Sequence, residues 1–311
     1  MHTVRQSSID DRDAVVLVSP AGLAVTFVPG AGMVASSFTL HGSELLFQRG
    51  GLIDYVKRGK TFGVPLLHPW ANRLDGLRYQ AAGRTVEIDP DVAPVRLDEN
   101  GLPNHGVLGA SPLWKVTGTQ DGEAAAVRAE LDFGTAPLLA AFPFPHHLSV
   151  EARLEDRTLT VVTKLRADEP VPIAFGWHPY LTLPGVPRAE WEVDLGVRTR
   201  AVLDARGIPT GKTEPAPFTQ GALADRAFDD FYPELADPPE LSVSGGGGRI
   251  VVRLEDGYPC TQVYGPPEQD LICFEPMTAP VNALVSGDRL TLSDDYAARF
   301  SIAIEGEPGA A

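Results

Sequence analysis

His147-Leu148-Ser149-Val150-Glu151-Ala152-Arg153-Leu154 alternates along its length, with Leu148, Val150, Ala152 and Leu154 on one face and polar groups on the other. After the polar run Glu155-Asp156-Arg157-Thr158, the segment Leu159-Thr160-Val161-Val162-Thr163-Lys164-Leu165 follows. Side chains of an extended chain point alternately to opposite faces, so a period of two calls for a sheet with one buried side. The two runs, joined by a polar turn, predict an antiparallel hairpin. Leu23–Val28, Arg249–Leu254 and Phe300–Ile304 carry further strand patterns. Helical periodicity is scarce: residues 220–226 and 277–284 each allow a turn or two. The chain has 31 glycines and 28 prolines, with no low-complexity repeat to absorb them, which points to many turns and so to many strands. Ser244-Gly245-Gly246-Gly247-Gly248 lacks the Lys-Ser/Thr and the helix of a phosphate loop and reads as a turn. The expected fold is all-β: a large twisted β-sandwich with long loops and few short helices. No linker divides it, so residues 1–311 form one expected domain.

Lys and Arg number 26 and Asp and Glu 41, a net charge of −15. Such a surface repels phosphate backbones and anionic lipid, which argues against nucleic acid and membrane partners. It leans towards neutral over phosphorylated small molecules, although local arginines can override net charge. The N-terminus has no apolar signal region, and no apolar run reaches the roughly 20 residues of a membrane span, so a cytoplasmic location is expected. The two cysteines, Cys260 and Cys273, could bridge if their segments are strand neighbours, but two buried free thiols are the simpler expectation, and no Cys/His cluster has zinc spacing. No metal and no nucleotide or redox cofactor is expected. Oligomeric state is not legible.

Four segments set polar groups among Gly, Pro and aromatic residues: Gly63–Leu74 with Pro69-Trp70-Ala71-Asn72-Arg73, then Asn104-His105-Gly106, then Phe175-Gly176-Trp177-His178-Pro179-Tyr180, then Phe274-Glu275-Pro276. Proline holds the residue before it near extended geometry, limiting backbone freedom at His68, His178 and Glu275. In this order the four segments resemble the aldose 1-epimerase (mutarotase) family, and the resemblance spans most of the chain. It implies a supersandwich fold with an open cleft on one sheet and a small sugar as substrate. It further implies Glu275 as general base, His178 as general acid, and Arg73 and His105 as ligands of sugar oxygens. An Asp before a Phe also recurs in the family as a hydroxyl ligand. Phe228-Asp229-Asp230-Phe231 offers two aspartates, of which Asp229 is the candidate. Asn72 and Trp177 complete the candidate binding set, with Trp177 simplest as a core aromatic and otherwise a wall for the C–H face of a pyranose. His68, His146 and His147 default to structural roles.

The chemistry suits these residue types. Opening a hemiacetal ring removes a proton from O1 while one is added to O5, which one carboxylate and one imidazole on either side of the C1–O5 unit can do. Direct contact between Glu275 and His178 is therefore not expected. The expected reaction is interconversion of the α and β anomers of a free aldohexose. The alternatives are a hexose 6-phosphate or an uncommon sugar, for which Arg49, Lys57, Arg58 and Lys60 could form a phosphate site, and a sugar-binding sandwich without turnover. A glycoside hydrolase wants two carboxylates flanking a bond, and a motif His with a motif Glu is the wrong pair for that.

Overall fold

A computed structural model describes residues 1–308. The hairpin forms as expected and is longer on both arms: His146–Glu155 pairs antiparallel with Thr158–Ile173, Val150 opposite Thr163 and Leu154 opposite Leu159. It lies inside a nine-stranded sheet. The strands run in the order Lys115–Gln120, Ala125–Phe133, the two hairpin arms, Thr291–Gly306, Gly248–Asp256, Glu240–Gly245, Glu192–Asp194 and Gln220–Ala222. A five-stranded meander covers residues 3–44, and a six-stranded sheet carries Phe228–Tyr232, Cys260–Gly265, Ile272–Met277, Gly176–Trp177, Tyr180–Leu181 and Leu66–Leu67. One apolar cluster draws on all three: Val25 and Phe27 from the meander, Val127, Val150 and Phe300 from the large sheet, Val263 and Phe274 from the six-stranded one. This is the buried face that the alternating sequence requires.

Helices among the described residues are Gly51–Arg58, Ala136–Ala141 and Ala283–Ser286. The first buries Leu52 and Tyr55 three residues apart and stops at Gly59, whose left-handed backbone (φ 71°) donates its N–H to the Tyr55 carbonyl. Two local expectations need correction. Residues 220–222 are an edge strand, held by backbone pairing of Val193 with Gly221 that no local pattern announces. The helix near residue 277 begins only at Ala283, because Met277 still belongs to a strand that pairs with both neighbours. Ser244–Gly248 makes the tight turn of a hairpin, with Gly245 opposite Gly248. Cys260 and Cys273 are both buried and free, each facing a different residue across the strands, Met277 and Tyr264.

Candidate active site

The six-stranded sheet places the site. Its register sets Gly176 opposite Met277 and Tyr180 opposite Cys273, which brings His178 across from Glu275. Glu275 in turn lies opposite Gln262, and Tyr264 lies between Cys273 and Asp229. Alternation turns Ile272, Phe274 and Val263 into the apolar core, so Glu275, Gln262, Tyr264, His178 and Tyr180 stand on the other face. Gly176 lets the strands close up, since a Cβ there would collide with the Pro276 carbonyl oxygen.

Two loops wall this face. The Pro69–Arg73 segment runs beside Asn104–Gly106: the His105 N–H donates to the Asn72 carbonyl (3.0 Å), and Arg73 bridges to Asn104. Gly106 has φ 69°, and any side chain on it would strike the His68 carbonyl, which explains the glycine that ends Asn-His-Gly. Asn72 and His105 also take left-handed backbones (φ 57° and 62°), a strain that concentrates at functional sites. Together sheet and loops enclose a cavity of about 510 Å³ lined by Arg73, His105, His178, Asp229 and Glu275 among others, within the roughly 300–1,000 Å³ usual for small-molecule sites.

Inside it His178 Nε2 lies 3.2 Å from Glu275 Oε1, both side chains 5% exposed or less. The expectation that the two groups stay apart is therefore corrected. They are direct cross-strand neighbours, and a buried carboxyl gains more from a nearby imidazole than from standing alone. Burial, then the neighbouring Asp229 charge, pushes the Glu275 carboxyl well above the usual carboxylate range, while Arg73 pulls it back. Burial also holds the His178 imidazole well below its ordinary value, helped by His105 and Arg49. The His178 ring stacks on Tyr180 with centroids 4.3 Å apart and planes 3° off parallel, which fixes its tilt. His105 meets it edge-on at 5.4 Å and is itself pushed down to about 3, chiefly by burial.

Arg73 Nε donates to Asp98 Oδ2 (2.8 Å), and its Nη1 comes within 3.8 Å of Asp229 Oδ2. Burial alone would lower the guanidinium, but Asp229 and Asp98 outweigh it and leave it raised. Asn72 Oδ1 accepts the Arg73 backbone N–H (2.8 Å), so Asn72 shapes its neighbour. Asp229 accepts a hydrogen bond from Gln262 Nε2 (2.7 Å) and lines the cavity, whereas Asp230 points to the opposite side of the strand and pairs with Arg200 (3.2 Å). Trp177 does not line the cavity. It sits one residue from His178 and so faces the core, fully buried, donating to Thr163 Oγ1 (3.0 Å) and packed near Phe300. Among the described residues Glu275 Oε2, Gln262 Oε1, Asn104 Oδ1, His105 Nδ1 and His178 Nδ1 are buried without a hydrogen-bond partner.

Sequence reasoning missed Asp98, Gln262 and Tyr264, and gave Tyr180 no role. Gln262 and Tyr264 carried a signal: they alternate with Thr261 and Val263 as the polar phase of a strand pattern. Asp98 lies 25 residues from Arg73 in a loop, and nothing local marks it. Among the described residues no three His, Cys, Asp or Glu side chains are grouped to hold a metal ion.

The fold is shared with solved structures. A galactose mutarotase-like protein from Clostridium acetobutylicum superimposes with a TM-score of 0.85 at 18% identity, covering 98% of this chain and 99% of that one. A galactose 1-epimerase from Lactobacillus acidophilus gives 0.79 at 16% identity over 98% and 99%, and a protein from Synechocystis gives 0.74 at 20% identity over 98% and 96%. At these identities the likeness is one of fold. No curated protein matches the chain. The sequence model of aldose 1-epimerase matches residues 13–305, nearly the whole length, and the chain belongs to the aldose 1-epimerase family.

Proposed function

We propose that the protein interconverts the α and β anomers of an aldohexose by acid and base catalysis of ring opening and closing. The observation that carries this is the convergence of one buried carboxyl and one buried imidazole, 3.2 Å apart, on a cavity ringed by Arg73, His105 and Asp229. The buried atoms without partners among its lining residues include acceptors on Glu275 and Asn104 and ring nitrogens on His105 and His178. A sugar, each hydroxyl of which both donates and accepts, is the kind of ligand that satisfies such a mixed set.

In ring opening Glu275 takes the proton of the O1 hydroxyl while His178 gives one to O5. The C1–O5 bond breaks and its electron pair goes to O5; the O1–H pair forms the second bond of the C1=O1 aldehyde. Rotation about C1–C2 presents the other carbonyl face. Closure runs the two transfers in reverse, with Glu275 now donating and His178 accepting. The pair carries one proton between its two members throughout, so no alkoxide or oxocarbenium charge is left exposed. Burial favours that proton on Glu275. Passing it across the 3.2 Å contact to His178 makes the carboxylate and imidazolium that open the ring, a change that Arg73 assists by stabilising the carboxylate. The titration belongs to the pair and not to either residue.

Polarimetry tests this reading. Freshly dissolved α-D-glucose or α-D-galactose should reach rotational equilibrium faster with the protein than without it, and faster than with Glu275→Gln. Relaxation at the spontaneous rate with every aldose tried would leave a sugar-binding sandwich without turnover.

A further inference from the structure

His178 lacks the anchor that usually orients a histidine in proton transfer. The ring nitrogen not used in the chemistry ordinarily bonds a carbonyl or carboxylate, which fixes the tautomer and the ring. Here Nε2 faces Glu275, and Nδ1 is buried with no hydrogen-bond partner among the described residues, only its own backbone lying near. Three other rings border the imidazole. His105 and Tyr264 meet it edge-on, with centroids at 5.4 and 6.3 Å. Tyr180 alone of the three lies parallel to it, at 4.3 Å with planes 3° apart. A plane stacked on the imidazole opposes rotation about its Cβ–Cγ bond. Residues two apart on an extended chain share a face, which is why Tyr180 can stack on His178.

Tyr180 is itself clamped. Its N–H donates to the Gly63 carbonyl, and its carbonyl accepts the Phe47 N–H, both at 2.9 Å. At the far end of the ring the hydroxyl is 2.6 Å from Thr61 Oγ1. Arg49 Nη1 donates to that hydroxyl (3.5 Å) and to the Thr61 carbonyl (3.3 Å). The hydroxyl also comes within 3.3 Å of His178 Nε2. That approach is face to face, because an imidazole nitrogen donates or accepts in the plane of its ring and the stacked hydroxyl lies above that plane. Nε2 is therefore left to Glu275.

We infer that Tyr180 is the positioning residue of the general acid: its ring, clamped by the strand and by Thr61 and Arg49, takes the place of the usual Nδ1 partner and holds the His178 imidazole in the plane from which Nε2 meets Glu275.

This rests on the proposed function for what His178 does, so the test has one arm in turnover and one outside it. Tyr180→Leu leaves Arg73, His105 and Asp229 untouched. It should lower kcat at least about tenfold with KM near the parental value, on the scale of the ~10²-fold that a misplacement of about 1 Å costs. Tyr180→Phe keeps the plane and should recover most of that loss. Parental kcat in Tyr180→Leu, or a Tyr180→Phe protein as impaired as Tyr180→Leu, overturns the inference. The second arm is the imidazole signal in long-range proton–nitrogen correlation spectra, assigned by its absence from His178→Asn. Adding Glu275→Gln should move the Nε2 signal in the parent and in Tyr180→Phe, and much less in Tyr180→Leu, where the ring is free to turn from residue 275. An equal response in all three backgrounds overturns the positioning role, whether or not any aldose is turned over. If the leucine variant does not fold, Tyr180→Met, apolar and without a plane, replaces it in both arms. Full mutarotation by Glu275→Gln would instead sink the catalytic assignment and leave the spectra to decide what Tyr180 holds.

Discussion

His178 and Glu275 face each other across adjacent strands and touch, Nε2 to Oε1, at 3.2 Å. The contact makes them one proton-holding unit. Under the proposed mechanism Glu275→Gln keeps the shape and hydrogen-bonding capacity of the side chain but cannot accept the O1 proton, and His178→Asn cannot supply one to O5. Each variant is expected to lose at least ~10²-fold in kcat, the lower end of what a positioned acid or base supplies. Polarimetry with circular dichroism as the check of folding measures this. A folded Glu275→Gln protein with parental kcat removes the carboxylate from the mechanism.

The same carboxyl has a signature in stability. Its folded pKa lies above its unfolded value, so it helps the fold below an unfolded pKa of about 4.3, and that contribution is lost as pH rises through the folded value. Glutamine has no proton to lose. Glu275→Gln should therefore gain on the parent as pH increases, with a more favourable Tm difference at pH 9 than at pH 5. A difference independent of pH means that Glu275 ionises in the folded chain as easily as in the unfolded one.

Arg73 is aimed by Asp98, whose carboxylate also accepts the Asn100 and Leu102 N–H groups (2.8 and 2.9 Å). Burial would raise Asp98, but the Leu102 N–H, Arg73 and the Asn100 N–H outweigh it and keep it ionised below its usual range. Arg73→Ala and His105→Ala should lower kcat/KM, by roughly 0.5–1.5 kcal/mol for a lost neutral hydrogen bond and about 1.5–3 where the charged group takes part. Asp98→Asn should reproduce part of the Arg73→Ala effect, and combining the two should add little, because both act through one guanidinium. Strictly additive losses would separate Asp98 from the site.

How far the site could be read from the sequence follows from what each feature depends on. The hairpin around residues 147–165 was legible because a strand's pattern is local. The segments bearing Arg73, His105, His178 and Glu275 were legible because their residue types and order persist in one dimension. Contact between His178 and Glu275 was not, since it depends on Gly176 falling opposite Met277, and register is set by two strands a hundred residues apart. The choice between Asp229 and Asp230 depends on which face of an edge strand meets the cavity. Trp177 shows a signal left unused: alternation puts it and His178 on opposite faces, so both could not line one cleft.

Trp177 supplies a prediction on that point. Its indole is fully buried and donates to Thr163 Oγ1, on the core side of the strand that carries His178. Trp177→Phe should destabilise the fold, by about 1–3 kcal/mol for the hydroxyl left unsatisfied and more for the space vacated. KM should stay near the parental value, as the change faces away from the sugar. Urea unfolding and steady-state kinetics separate the two effects, and a rise in KM without loss of stability would return Trp177 to the binding wall.

Acid should unfold this protein through its buried histidines. His68 Nε2 and His146 Nε2 are 2.8 Å apart, and His146 Nδ1 is 2.7 Å from the Phe144 carbonyl. A carbonyl only accepts, so His146 Nδ1 carries hydrogen, His146 Nε2 accepts, and His68 Nε2 donates; both rings are neutral. A proton added to His146 Nε2 would set two N–H groups against each other. Burial pushes His146 down to about 4 and His68 well below its ordinary value, with His146 adding to the shift on His68. Between pH ~6.5, where an unfolded histidine titrates, and about 4 the unfolded chain binds more protons than the folded one. Stability from His146 is therefore intact above that window and lost as pH falls through it, at up to ~1.4 kcal/mol per pH unit for one such group. Glu275 works with the opposite sign over part of this range, so the comparison must be a difference. Urea unfolding free energies at pH 7 and pH 5 should fall more steeply for the parent than for His146→Gln, which has no proton to gain. Equal slopes in parent and variant would mean that His146 titrates in the folded protein as it does in the unfolded chain, and that the His68–His146 contact does not exclude the proton.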